Sequence, residues 1–459
     1  MGDAEQHFQA GKRLHDLGRL NEAILEYSRA IEFDPGMARA YHSRGLAYGH
    51  AGNPRQAIQN YSQAIRLDPQ LAGAYRDRGI AYCDVDEALQ AIKDFDEAIR
   101  LEPGLAEAYY RRGVAYRVMG DFYRGIKDLD EAIRLDHRGA QAYCERGCVY
   151  SELGEYHTAI DDFDEAVKLD PNSTKAFVSR GNAYASLGKL RRAIEDYTEA
   201  IRLDPELAQA YHSRGIAYRE LAEFELAIRD LDHAIRLDPE LAGDYDNRGN
   251  AYANLGQFRR AIEDYDEAIR LEPELAVSYY NRANANRELG EFERAIEDYG
   301  QAIRLDPEYT KAYNNRGNAY ASIGRLKEAV EDYTEAIRLE PGLSTSHYNR
   351  ANARAGLGHT QEAIEDYDEA IRLDPHYAKA YYNRGIAYAT LGNLRQAIDD
   401  YSQATRVNPR YAKAYVARAA VYTVLNMDEQ AQEDIDRALE LGVDPILLEV
   451  RLEELRKRR

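Results

Sequence analysis

Two helix-period stripes alternate along the chain. Within residues 310–343, Tyr313, Gly317 and Tyr320 recur at i, i+4 and i+7, which places them on one face of an α-helix. A second stripe follows Gly324: Ala329, Val330, Tyr333, Ala336 and Ile337. Gly324 suits a helix end. Glu340-Pro341 stops the second helix, because proline restricts the residue before it and cannot continue the hydrogen-bond ladder. The pattern predicts two antiparallel helices. Small residues at Gly317, Ala329 and Ala336 let them approach closely beside large tyrosines.

This hairpin is one of many. AYHSRGLAY, AYRDRGIAY, AYHSRGIAY, DYDNRGNAY and AYYNRGIAY appear elsewhere, and their arginines Arg44, Arg78, Arg214, Arg248 and Arg384 are spaced by multiples of 34 residues. Thirteen such units run without insertion from Ala4 to Pro445, starting at 4, 38, 72, 106, 140, 174, 208, 242, 276, 310, 344, 378 and 412. An aromatic, usually Tyr, opens the unit at its fourth residue, with Gly or Ala at the eighth and usually Tyr at the eleventh. Ala stands at the twentieth (Gly125 once), Tyr, Phe, Leu or Ile at the twenty-fourth, Ala at the twenty-seventh and Pro at the thirty-second in eleven units. This skeleton resembles the tetratricopeptide repeat, a helix–turn–helix unit of 34 residues, over 442 of 459 residues. The resemblance implies an all-α fold: a right-handed α-solenoid superhelix whose first helices line a concave inner wall.

Such units depend on their neighbours for burial, so both ends need closure. After Asp444-Pro445, Leu448, Leu452 and Leu455 form a stripe with Glu449, Glu453 and Glu454 off it. Residues 446–459 are therefore expected as a C-terminal capping helix, with a basic end Arg456-Lys457-Arg458-Arg459 that complements the macrodipole. The first unit departs from the pattern with His7 and Ala10.

Net charge is −20 and the pI about 5.1, with no sustained basic stripe, a balance that opposes nucleic-acid binding. No N-terminal apolar run reads as a signal peptide, no span reaches membrane length, and Gln6 stands where an acylation signal after Gly2 wants Ser or Thr. Three cysteines make no disulfide framework, so a cytoplasmic location is expected. Cys144 and Cys148 share a helix face, while Cys83 is almost two units away, and they read as small wall-lining residues. His42 and His50 share a unit without a third ligand. Carboxylates recur in nearly every unit, with no exceptional constellation, phosphate-cradling loop or nucleophile elbow. Neither catalysis, a metal nor a cofactor is expected.

Arginine occupies the seventh position in twelve units and aspartate the twenty-third in eleven. In the resembled family the seventh position is often apolar, so the chain departs there. Pairing of Arg316 with Asp332, and of their counterparts, is expected within or between hairpins, where paired charge fixes register more than it stabilises.

Asparagines mark a different face. The sixth residue is Asn at Asn247, Asn281, Asn315, Asn349 and Asn383; the ninth is Asn at Asn250, Asn284, Asn318 and Asn352. Earlier units carry Leu46, Ile80, Val114 and Cys148 at the ninth. Asparagine is a mediocre helix former, and nothing in the hairpin packing requires it. An amide offers a donor and an acceptor, as an extended backbone does. The row resembles the asparagine-lined superhelix of O-GlcNAc transferases, without their catalytic domain, and that resemblance implies a grip on extended polypeptide. Tyr280, Tyr348 and Tyr382 add flat anchors; Lys311, Lys379 and Lys413 add positive charge. The two-carboxylate clamp of chaperone-binding relatives is matched only in part: Asn318, Asn349 and Lys379 fit, but Asn314 and Asn383 replace cations.

The sequence is read as a scaffold or adaptor that binds an extended segment of a partner protein in its concave groove. Three alternatives stand beside it. One is a structural assembler using self-association or an acidic convex face. Another is a helical array that reads RNA, which the charge opposes. The third is a solvated polar face copied by duplication.

Overall fold

The structure is a computed structural model that describes residues 2–446, 448, 449 and 453. The described residues contain 26 α-helices and no strand. From Ala38 onward, the first helix of each hairpin begins at intervals of 34 residues, at Ala38, Ala72, Ala106 and so on to Ala412. The chain divides into two compact units, Met1–Leu237 and Asp238–Arg459.

The hairpin Thr310–Ser322 and Leu326–Leu339 shows why the sequence folds this way. Gly324 takes a positive φ of 77°, so that the Arg325 N–H reaches the Tyr320 carbonyl (2.9 Å) and the Gly324 N–H reaches Ala321 (3.1 Å). These bonds satisfy carbonyls that the helix end would otherwise leave open. The same turn position holds Asp86, Ala222 and Asn426 elsewhere, all with positive φ. At the other end Glu340 leaves the helix with φ −136° and ψ 83°, the conformation that Pro341 demands of its neighbour.

Ala312, Ala319, Ala329 and Ala336 are fully buried, and they let the backbones close on the Tyr333 ring. A Cβ on Gly317 would sit 2.7 Å from that ring, so glycine sets the depth of this contact. In the first compact unit Phe95, Leu129, Phe163, Tyr197 and Leu231 hold the corresponding buried position. Leu448 packs with Ala419, Ile435 and Ala438, beyond the last hairpin. The remainder of the expected cap stripe, Leu452 and Leu455, lies outside the described residues, as do Glu454 and the basic end.

The expected ion pair is present. Arg316 donates from Nε and Nη2 to the two carboxylate oxygens of Asp332, at 2.8 and 2.7 Å. The two-pronged contact recurs from Arg78–Asp94 through Arg146–Asp162 and Arg282–Asp298 to Arg418–Asp434. The third arginine nitrogen reaches back to the preceding hairpin, as from Arg180 to Asp164 (2.6 Å) or Arg214 to Thr198 (2.9 Å). Each such arginine thus ties two hairpins. Arg316 differs, since the position behind it is Gly300. Burial raises the Asp332 carboxyl above its ordinary range against the pull of Arg316. At Asp366 burial acts in the same direction, but His347, Arg350 and Arg354 outweigh it and the carboxyl is lowered. In the first hairpin, Glu26 and His7 stand in for the pattern's acid and aromatic and meet at 2.6 Å.

Candidate functional site

The asparagine row lies where neighbouring first helices touch, and all of its residues are half-buried. Tyr333 Oη donates to Asn318 Oδ1 (2.8 Å), Tyr299 to Asn284 (2.6 Å), Tyr367 to Asn352 (2.6 Å) and Tyr265 to Asn250 (2.9 Å). The same oxygens accept from the next hairpin: Asn315 Nδ2 donates to Asn284 (3.1 Å), Asn349 to Asn318 (3.1 Å) and Asn383 to Asn352 (2.8 Å). Asn284, Asn318 and Asn352 are therefore each oriented by their own tyrosine and stitched to the following helix.

This corrects the view that packing makes no demand for asparagine. A Tyr hydroxyl at the bottom of the hairpin needs an acceptor, and the amide oxygen supplies it. Asn182 and Tyr197 make the same tie in the first compact unit, at 2.8 Å. In six of the asparagines one amide atom stays uncommitted, whereas Asn250 uses both. Among the described residues, Asn284, Asn318 and Asn352 make no hydrogen bond from Nδ2, and Asn315, Asn349 and Asn383 accept none at Oδ1.

The rest of the row is less uniform. Asn247 donates back to the Gly243 carbonyl of its own helix (2.8 Å). Asn250 donates to Asp246 (2.9 Å), which also accepts from Ser278 (2.9 Å) and Asn281 (3.2 Å). The Tyr280 and Tyr348 hydroxyls accept from Asn315 (3.0 Å) and Asn383 (3.1 Å). Their rings pack on Tyr309 and Tyr377, with centroids 4.8 and 4.7 Å apart, and Tyr382 packs on Tyr411 at 5.2 Å. Burial and the neighbouring Tyr280 push the Tyr309 phenol up to about 12. Lys311, Lys379 and Lys413 are exposed.

Asp246 escaped the sequence reading, and Asn314 entered it only as a residue standing where a carboxylate clamp would place a cation. Asp246 meets Ser278, and Asn314 accepts from Ser346 (3.2 Å) and Asn349 (3.4 Å). Junctions of this kind alternate with junctions in which Tyr280 faces Tyr309 and Ala312, or Tyr348 faces Tyr377 and Ala380. From residue 242 to 377 the structural period is thus two hairpins. The signal was present: Ser278 and Ser346 interrupt a position that is Ala at Ala312, Ala380 and Ala414.

In the first compact unit the equivalent face is charged and apolar. His42 meets Asp77 at 2.7 Å, and buried Glu145 lies between Lys175 and Arg117, the latter 3.3 Å away. Cys144 is buried, Cys148 half-buried with its Sγ 3.8 Å from Ser179 Oγ, and Cys83 exposed. Among the described residues no group of three or more His, Cys, Asp or Glu is arranged to hold a metal ion. None of the described helices is long and apolar enough to cross a membrane.

Family models agree with the hairpin geometry. Models described as "Tetratricopeptide repeat" match residues 38–71, 140–173, 247–275, 310–343 and 378–411, and also 106–137 and 208–241. One described as "TPR repeat" matches 11–52, 181–221, 283–324 and 357–392. Similar solved structures include the APC/C hetero-tetramer Cut9–Hcn1, at 16% identity and TM-score 0.42, over 100% of this chain and 96% of that one. YrrB, described as a TPR protein with an unusual peptide-binding site, is 25% identical over 41% of this chain and 96% of its own, with TM-score 0.35. MamA is 27% identical over 38% and 94%, with TM-score 0.34. No curated protein matches the chain.

Proposed function

The chain belongs to the tetratricopeptide-repeat family, and from that premise we propose that it is a protein-binding scaffold whose amide row grips an extended segment of a partner. The observation that carries this reading is the fixed orientation of the half-buried amides. Tyr299, Tyr333 and Tyr367 hold the oxygens of Asn284, Asn318 and Asn352, so the uncommitted Nδ2 donors keep a set direction. Uncommitted oxygens on Asn315, Asn349 and Asn383 add acceptors at the neighbouring positions. An extended backbone presents both complements in alternation, and a pre-ordered row loses little conformational freedom on binding. Exposed Lys311 and Lys379 add attraction for acidic side chains. The segment lies in the concave groove of the repeat array. Three free thiols are consistent with a cytoplasmic setting.

A displayed library of random peptides, selected on the full chain, tests the proposal. Enriched peptides should lose binding to the Asn281→Ala, Asn315→Ala, Asn349→Ala triple variant while its helicity stays unchanged. Undiminished binding would move the function to an assembler acting by self-association, for which mass growth with concentration is the sign.

A further inference from the structure

The amide row ends in a hollow. At the earlier junctions the notch between adjacent first helices is filled by an amide bridge, Asn349 to Asn318 or Asn383 to Asn352. At the next junction the bridging positions are Ile386 and Ala417, so no such bridge forms. What remains is a cavity of about 420 Å³ lined chiefly by Tyr382, Ile386, Ala389, Ala417, Ala420 and Val424. Ile386 and Val424 are 41% and 43% exposed, large apolar side chains on an open wall. The fold does not impose this chemistry. The corresponding notch in the first compact unit, about 390 Å³, carries Asn182, Ser213 and Glu220 on its wall.

We propose that this basin takes one bulky aliphatic side chain from the same extended segment that the amide row holds. The inference rests on the groove reading and deepens it: the backbone is gripped without regard to sequence, and selection enters at one end. Two features favour this occupant. The basin continues the amide row without a break in the helix stack, so a chain leaving Asn383 arrives there next. Its lining side chains are all alkyl or aromatic, apart from the Thr390 hydroxyl and the tyrosine tips. Removing apolar surface from water on both partners is then the driving force. Because the basin lies at the Asn383 end of the row, it also sets the direction in which the segment runs.

Three labelled peptides of Ser, Thr, Gln and Gly test this by fluorescence anisotropy with the full chain. One carries a single Leu near its amino end, one near its carboxyl end, and one none. One leucine-bearing peptide should bind about tenfold tighter than the leucine-free one, the scale of one buried aliphatic side chain. Ile386→Asn, which restores the residue found at this position in preceding hairpins, should erase that preference. Val424→Ser, on an exposed site, should do the same should the first variant prove unstable. Equal binding of all three peptides to the unaltered chain overturns the basin and leaves the amide row intact. Failure of every peptide to bind overturns the groove reading, and the basin with it.

Discussion

Asn318 Oδ1 lies 2.8 Å from the Tyr333 hydroxyl and 3.1 Å from Asn349 Nδ2, so one side-chain oxygen joins three helices. Asn318→Ala should cost about 1–3 kcal/mol, because it leaves a buried phenol without an acceptor. Adding Tyr333→Phe should recover much of that loss in urea denaturation, while peptide binding stays impaired. Recovery of binding together with stability would reduce Asn318 to a packing residue.

Removing Arg316 should be worse than removing its pair. Arg316→Ala strands the buried Asp332 carboxylate, 5% exposed, and is expected to cost about 3 kcal/mol. The Arg316→Ala, Asp332→Ala double variant should be more stable than the single one. Additive losses in the cycle count against coupling.

Gly300 is a gap in the arginine ladder. Its missing Cβ would lie 3.5 Å from Arg316 Nη1, whereas Ser402 at the equivalent position accepts from Arg418 at 2.7 Å. Gly300→Ser supplies an acceptor and removes a mid-helix glycine, for an expected gain of about 1–2 kcal/mol. A melting temperature at or below that of the parent would show that the hydroxyl does not reach.

Ala222 sits at a turn with φ 58°, where most hairpins place glycine. Its Cβ opposes the left-handed conformation, so Ala222→Gly should stabilise by about 1 kcal/mol. Gly324→Ala should show the reverse, and the two melting shifts should be opposite in sign.

Two aspartates at the same position should respond oppositely to acid. Asp366 is lowered in the folded chain by His347, Arg350 and Arg354 despite burial, so its contribution is present above the ordinary carboxylate range and is lost as pH falls through its folded value. Asp332 is raised by burial, so its contribution is greatest below that range and is lost as pH rises through its folded value. The stability gap between parent and Asp366→Asn should narrow between about pH 7 and pH 3, and the gap to Asp332→Asn should widen. Urea midpoints across that range that move in parallel would contradict the assignment.

Hairpins, turns and the arginine ladder were legible because each follows from spacing within one repeat. Gly324, Pro341, Tyr333 and the Arg316–Asp332 pair carry their reasons locally. The amide stitching was not, because Asn315 reaches Asn284 and Tyr280 across 31 and 35 residues, distances that fall between repeats. A 34-residue consensus also averages away the alternation of Asp246 and Asn314 with Tyr280 and Tyr348. The serines at Ser278 and Ser346 are its trace, and they gain meaning only once their acceptors are known.

That alternation constrains how such a chain can change its copy number. Excising residues 310–343 would set Tyr280 before Ser346, whose hydroxyl would lose the Asn314 acceptor it uses now. Excising 310–377 would instead set Tyr280 and Tyr309 before Ala380 and Asn383, the same company that Tyr348 and Tyr377 keep. Growth and loss in this stretch therefore proceed without mismatch only by pairs of hairpins.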